Sequence, residues 1–172
     1  MKKVLFVIVA LFAFSMQGVA QKGMQGFGVN LAANVSLGDQ DGAGFGGGLK
    51  YQYNITDYLR FEPSFCYYAV SDNAFDMLGF ANMHIFFSSP KAFRPYLFAG
   101  LGYIDFSDSY YSYYHDKKER ETEGDFGFDV GLGLDYRMSH NFSLQVEAGA
   151  VIGVGDDDHF GAKINIGFCY NF

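Results

Sequence analysis

Phe160-Gly161-Ala162-Lys163-Ile164-Asn165-Ile166-Gly167-Phe168-Cys169-Tyr170-Asn171-Phe172 is the stretch that decides the fold. Every second residue, from Phe160 through Ile164, Ile166, Phe168 and Tyr170 to Phe172, is apolar or aromatic apart from the small Ala162. The residues between them are small or polar: Gly161, Lys163, Asn165, Gly167, Cys169 and Asn171. Strict alternation over this length is the period of a β-strand with two unlike faces. An aromatic final residue keeps the apolar face intact to the end, which suits a strand with lipid on one side and a packed, hydrated interior on the other.

Seven further segments repeat the pattern. The first, 25–37, alternates Phe27, Val29, Leu31, Ala33, Val35 and Leu37 with Gly26, Gly28, Asn30, Asn34 and Ser36. Similar segments are expected over 44–55, 58–68, 77–88, 95–105, 125–137 and 142–151, with Leu78 and Phe80 blurring the fourth. Pro63 lies inside the third and removes a ladder donor, so a bulge or a lost bond is expected there. The connections near 56, 89–94 and 138–141 read as short, and those near 69–76 and 106–124 as longer. The expected fold is therefore all-β: an eight-stranded antiparallel up-and-down barrel, with short turns on the periplasmic side.

Residues 1–20 read as a secretory leader, with Lys2 and Lys3, an apolar run from Val4 to Phe14, and small residues before cleavage between Ala20 and Gln21. Residues 21–172 then form one barrel domain. The leader's apolar run is short for a helical membrane span, which needs about 20 residues, and no later segment is long and apolar enough. The chain is acidic, with 19 Asp and Glu against 12 Lys and Arg, which argues against a nucleic-acid partner. Cys66 and Cys169 fall on strands that are not neighbours and are expected to be free, buried thiols.

A soluble barrel would show the same period with its apolar face inward. Three features favour lipid outside. The apolar face carries the bulky residues while the other carries most of the Gly, and an eight-stranded interior is narrow. Aromatics gather at segment ends: Tyr53, Phe87, Tyr136, Phe142, Tyr170 and Phe172 on one side, Phe45, Tyr67, Tyr103, Phe126 and Phe160 on the other. Two such girdles are expected at two membrane interfaces. The leader, finally, exports the chain.

With Phe168, Tyr170 and Phe172 as a terminal signature, and Arg94-Pro95-Tyr96-Leu97-Phe98-Ala99-Gly100-Leu101-Gly102-Tyr103 as a recurrent strand, residues 21–172 resemble the small outer-membrane β-barrels of the OmpX and OmpA-domain type, often called porin-like. The resemblance implies a Gram-negative-type outer membrane, contact with its lipid, and insertion by the barrel assembly machinery reading that final strand. It fixes no activity, because such barrels include adhesins, anchors, narrow pores and enzymes.

Function is sought in two places. Lys50, Arg60, Glu62, Asp129, Asp135, Arg137, Glu147 and Lys163 fall on the inward face, where Lys50 is expected opposite Glu62 and Glu147 opposite Lys163. Opposite charges would offset the cost of burial. The set reads as a structural plug, or else as a gated solute path. His84 is expected among the interior polar groups. The second place is 106–124, where Tyr110, Tyr111, Tyr113 and Tyr114 precede mixed charges. A Tyr and Ser cluster is good binding area for an extracellular partner, and a polar hairpin extension is the plainer reading.

Asp156-Asp157-Asp158-His159 reads as a solvated acidic loop rather than a cation site, and His140 with Ser143 makes no convincing catalytic set. No cofactor, metal or enzymatic activity is expected. The leading expectation is a structural or cell-surface interaction barrel with a plugged interior. A narrow channel for small solutes is the alternative, and a lipid-modifying enzyme the third.

Overall fold

The computed structural model describes residues 21–37, 42–70, 74–88, 92–112, 117–154 and 160–172, with the side chains of 70–76 and 106–123 excepted. Eight strands follow one another: β1 (Gln25–Leu37), β2 (Gly42–Asn54), β3 (Leu59–Val70), β4 (Ala74–Phe86), β5 (Phe93–Ser112), β6 (Lys117–Arg137), β7 (Phe142–Val154) and β8 (Phe160–Asn171). Each pairs antiparallel with its sequence neighbours, and β1 also pairs with β8, from Gly26 opposite Asn171 to Leu37 opposite Phe160. The barrel is thus closed, and closure leaves free sheet edges only where β5 and β6 run past their neighbours. The terminal stretch that set the fold is the closing strand.

Burial alternates with the sequence. Along β8 Gly161, Lys163, Asn165, Gly167, Cys169 and Asn171 are buried, while Phe160, Ile164, Ile166, Phe168, Tyr170 and Phe172 are exposed. The same inversion runs round the barrel: Leu31 and Leu132 are 61% exposed, whereas Lys50, Arg60 and Glu62 are 2% or less. A water-soluble chain sorts these residue types the other way. An outer surface of Val, Leu, Ile and Phe in contact with lipid accounts for the arrangement. All eleven aromatics expected in the two girdles are exposed. On the short-turn rim Phe142 packs against Phe168 and Tyr170 at centroid distances of 5.4 and 5.2 Å.

One local expectation holds in its second form, a lost bond rather than a bulge, and another is corrected. Pro63 produces no bulge: β3 keeps one register against β2, from Lys50 opposite Ser64 to Asn54 opposite Arg60, with the ladder interrupted between them. The missing Pro donor loses pairing without inserting a residue. The register shift lies in β4, between Phe75 and Met77, against β5. Nor is the contrast in loop length present. The strands themselves fill the expected longer connections, leaving only 71–73 and 113–116 between strands. The asymmetry is carried by strand length instead. Asp108 to Ser112 pair with Glu121 to Lys117, beyond the last β4 partner at Ser107 and the last β7 partner at Phe126. Five further pairs at about 3.3 Å per residue make a hairpin on the order of 15 Å beyond its neighbours.

Candidate functional site: the charged barrel interior

Inward-pointing side chains form stacked layers. Nearest the short turns, Asp135 on β6 receives Arg60 of β3 and Arg94 of β5 on the same oxygen, Oδ2, at 2.8 and 2.7 Å. The Arg60 Nε donates to Asn54 Oδ1 at 3.0 Å. Both guanidinium carbons lie over the Phe86 ring, 4.8 and 4.1 Å from its centroid. A ring face attracts cations, so Phe86 shares with Asp135 the task of holding two positive charges together.

In the middle layer, Lys50 Nζ lies 3.4 Å from Glu62 Oε1. Gln52 Nε2 donates to Glu62 Oε2 at 2.7 Å and to Gln145 Oε1 at 2.8 Å. Tyr96 donates its hydroxyl to Glu147 Oε1 at 2.7 Å, and Asn165 donates to Glu147 Oε2 at 3.2 Å. The His84 ring stacks on Tyr96, 4.6 Å between centroids and 13° between planes. Above this, Lys163 pairs with Asp129, which also accepts from Asn82 Nδ2 at 2.7 Å. The Lys163 ammonium lies 5.3 and 5.4 Å from the Phe80 and Phe98 ring centroids. A buried apolar cluster of Ala32, Cys66, Tyr68, Leu78, Phe80, Ile104 and Val151 adjoins that layer.

Seven of the eight charges expected inside are buried there; Arg137 is the exception, half-exposed at the rim, where it donates to Met24 Sδ at 3.3 Å. The expected pairings need correction. Lys50 stands opposite Ser64, and it reaches Glu62 along the wall rather than straight across. Glu147 stands opposite Asn165 and Lys163 opposite Gly149, so those two do not pair across the ladder. Lys163 instead reaches past β7 to Asp129 on β6. A register two residues away from the expected one exchanges partners yet keeps the inward set, because side chains alternate with period two.

Arg94 is the charged interior residue that the sequence reading missed. It lies two positions before Tyr96 and so shares its face, but the expected segment began one residue too late. Leu78 and Phe80, which blurred the fourth segment, are buried inside the barrel. Glycines on the neighbouring strands β6 and β7 make room for the interior rings of β5: a Cβ at Gly133, the ladder partner of Tyr96, would overlap the Tyr96 ring, and one at Gly149 would lie 2.8 Å from Phe98 Cζ.

Other expected features are placed as follows. Cys66 and Cys169 are free and buried. Phe168, Tyr170 and Phe172 face outward. Gln21 is buried at the short-turn end, its main-chain N–H donating to Asp57 Oδ1, while Ala20 lies outside the described residues. Ser143 is buried and accepts from Asn171 Nδ2 at 3.2 Å, whereas His140 is exposed in the turn, so the two do not face one another. The main chain of Tyr110 and Tyr111 lies on β5 opposite Glu119 and Lys118. Tyr113, Tyr114 and the acidic segment 156–159 are outside the described residues.

Solved structures share this architecture. Neisserial surface protein A is 18% identical with a TM-score of 0.69, over 88% of this chain and all of that one. The attachment invasion locus protein Ail of Yersinia pestis is 18% identical with a TM-score of 0.60, over 88% of this chain and all of that one. The N-terminal β-barrel domain of Pseudomonas aeruginosa OprF is 20% identical with a TM-score of 0.58, over 87% of this chain and all of that domain. No curated protein sequence matches the chain. Residues 6–172 match the family described as outer membrane protein beta-barrel domain, and the chain belongs to that family of outer-membrane barrels.

Proposed function

We propose that this outer-membrane barrel does not conduct, and that its role is structural or lies at the cell surface. The observation that carries the reading is the interior itself. Arg60 and Arg94 on Asp135, Lys50 on Glu62 and Lys163 on Asp129 are all buried side chains. They come from β2, β3, β5, β6 and β8 and so cross the lumen at several heights. Opening a path would separate paired charges in a narrow interior, which is expensive. Reconstitution of the barrel into planar bilayers tests this: a silent membrane is expected, and steady large openings would establish the narrow-channel alternative instead.

The surface role is assigned to the β5–β6 hairpin. Its support is the extension of the two strands past their neighbours, together with the Tyr-rich and then mixed-charge sequence of 106–124. Deleting 108–122 is expected to leave the barrel folded and to abolish attachment of cells to their target surface. Unchanged attachment would reduce the segment to a hairpin extension. The reading includes export by a leader cleaved after Ala20, and insertion by the barrel assembly machinery through Phe168, Tyr170 and Phe172.

A further inference from the structure

We propose that Glu62, His84 and Glu147 form a binding site for one divalent transition-metal ion of the zinc class inside the barrel. It is independent of whether the barrel conducts. The three come from β3, β4 and β7, and one potential ligand atom from each lies within 4.8 Å of the others. All three side chains are buried.

His84 is the residue that points to a ligand. Its ring is fully buried, and neither nitrogen has a hydrogen-bond partner among the described residues. Nδ1 is 3.9 Å from Glu62 Oε2 and Nε2 is 4.0 Å from Glu147 Oε1. Those separations are too long for hydrogen bonds. Stacking on Tyr96, and a tilted contact with Phe98 at 5.8 Å, hold the ring so that it keeps facing the two carboxylates. A buried imidazole is ordinarily satisfied on at least one nitrogen, and each unpartnered group needs an explanation.

Lys50 is the ammonium of this layer, 3.4 Å from Glu62. The two carboxylates outnumber it, and the surplus positive charge of Arg60 and Arg94 on the single Asp135 below balances the difference. It is the donor set, not net charge, that suits a cation here. One imidazole nitrogen with two carboxylates suits zinc and its first-row neighbours, whereas calcium and magnesium prefer oxygen alone. The supporting contacts of a metal site are also present: Tyr96 holds the Glu147 carboxylate and Gln52 holds that of Glu62. An ion takes one imidazole nitrogen, so the carboxylate nearer the other nitrogen has to turn toward it, and both must close to metal–ligand distances of about 2.0–2.2 Å.

The test uses the mature barrel refolded in detergent with Co2+, or separately with Zn2+, then freed of loose metal by gel filtration. Equimolar retained metal is expected, with the visible absorption of nitrogen- and oxygen-bound Co2+. His84→Asn and Glu147→Gln should abolish retention. Tyr96→Phe keeps every ligand and should weaken binding by roughly 10- to 100-fold, the range for loss of a supporting contact. Heat-dependent gel mobility establishes that each variant is folded; if the His84 variant does not fold, the Tyr96→Phe affinity decides. No retained metal in the wild type overturns the proposal. So does retention that survives His84→Asn, which would place the ion on the outer surface, or a Tyr96→Phe affinity equal to that of the wild type.

Discussion

Arg94 Nη2 lies 2.7 Å from Asp135 Oδ2, the oxygen that also receives Arg60. Two cations therefore depend on one buried anion, and the roles are unequal. Removing Asp135 strands both guanidinium groups against Phe86, whereas removing Arg94 leaves the Arg60–Asp135 pair balanced. Asp135→Asn should destabilise the barrel by about 3–5 kcal/mol, the cost of leaving a buried charge unpartnered. Arg94→Gln should cost distinctly less. Urea unfolding in detergent or lipid measures both, and equal losses would mean that Asp135 does not organise this layer.

Gly133 is expected to be intolerant of even one carbon. Its missing Cβ is the space taken by the Tyr96 ring. Gly133→Ala should cost about 1–3 kcal/mol, as overpacking generally does. Because the two residues share one space, Gly133→Ala combined with Tyr96→Leu should be less destabilising than the sum of the single changes. Strict additivity in the unfolding midpoints would show that the ring does not fill that space.

The outer face and strand number were legible in the sequence because lipid and lumen impose opposite demands on successive residues. A period of two is robust to errors in register. Charge pairing was legible only in part. Lys50 with Glu62 was expected and forms, though not straight across the ladder, whereas Lys163 with Asp129 depends on turn geometry and on the tilt of the strands round the barrel, which leave no mark in the alternation. Leu78 and Phe80 were obscure because an interior reserved for polar groups and glycine was expected. The glycines that make room for rings lie on the next strands, Gly133 directly opposite Tyr96, so only the register between strands reveals them. His84 was recognised as interior, but the two carboxylates beside it come from β3 and β7, and only barrel closure brings them together.

The lipid-facing belt predicts a dependence on depth. Leu132 lies midway along the part of β6 that is paired on both sides, opposite Leu97 and Ala148, while Phe126 lies at the far end of that part, opposite Val154. Both are highly exposed on the outer surface. Leu132→Arg should cost about 2–4 kcal/mol in bilayers and Phe126→Arg about 0–1 kcal/mol. A soluble barrel would show no such gradient. Equal effects of the two changes on the unfolding free energy in lipid vesicles would therefore contradict a membrane-embedded belt.

The short-turn end offers a prediction about processing. Gln21 is buried and its main-chain nitrogen donates to Asp57, in the turn between β2 and β3. Gly23 then takes a positive φ of 85°, and its N–H donates to Asn54 O at 2.8 Å, leading the chain into β1. If the leader is removed after Ala20, that nitrogen becomes an ammonium facing a carboxylate, and the existing hydrogen bond becomes a stronger charge-assisted one. The mature amino terminus should then resist acylating reagents in the folded barrel. Asp57→Asn should expose it to labelling several-fold faster, at a cost of roughly 1–3 kcal/mol in stability, the range for hydrogen bonds to charged groups. Intact mass identifies the first residue independently of the labelling. If chains that begin at Gln21 label at the same rate in the wild type and in the Asp57→Asn variant, the contact does not hold the terminus.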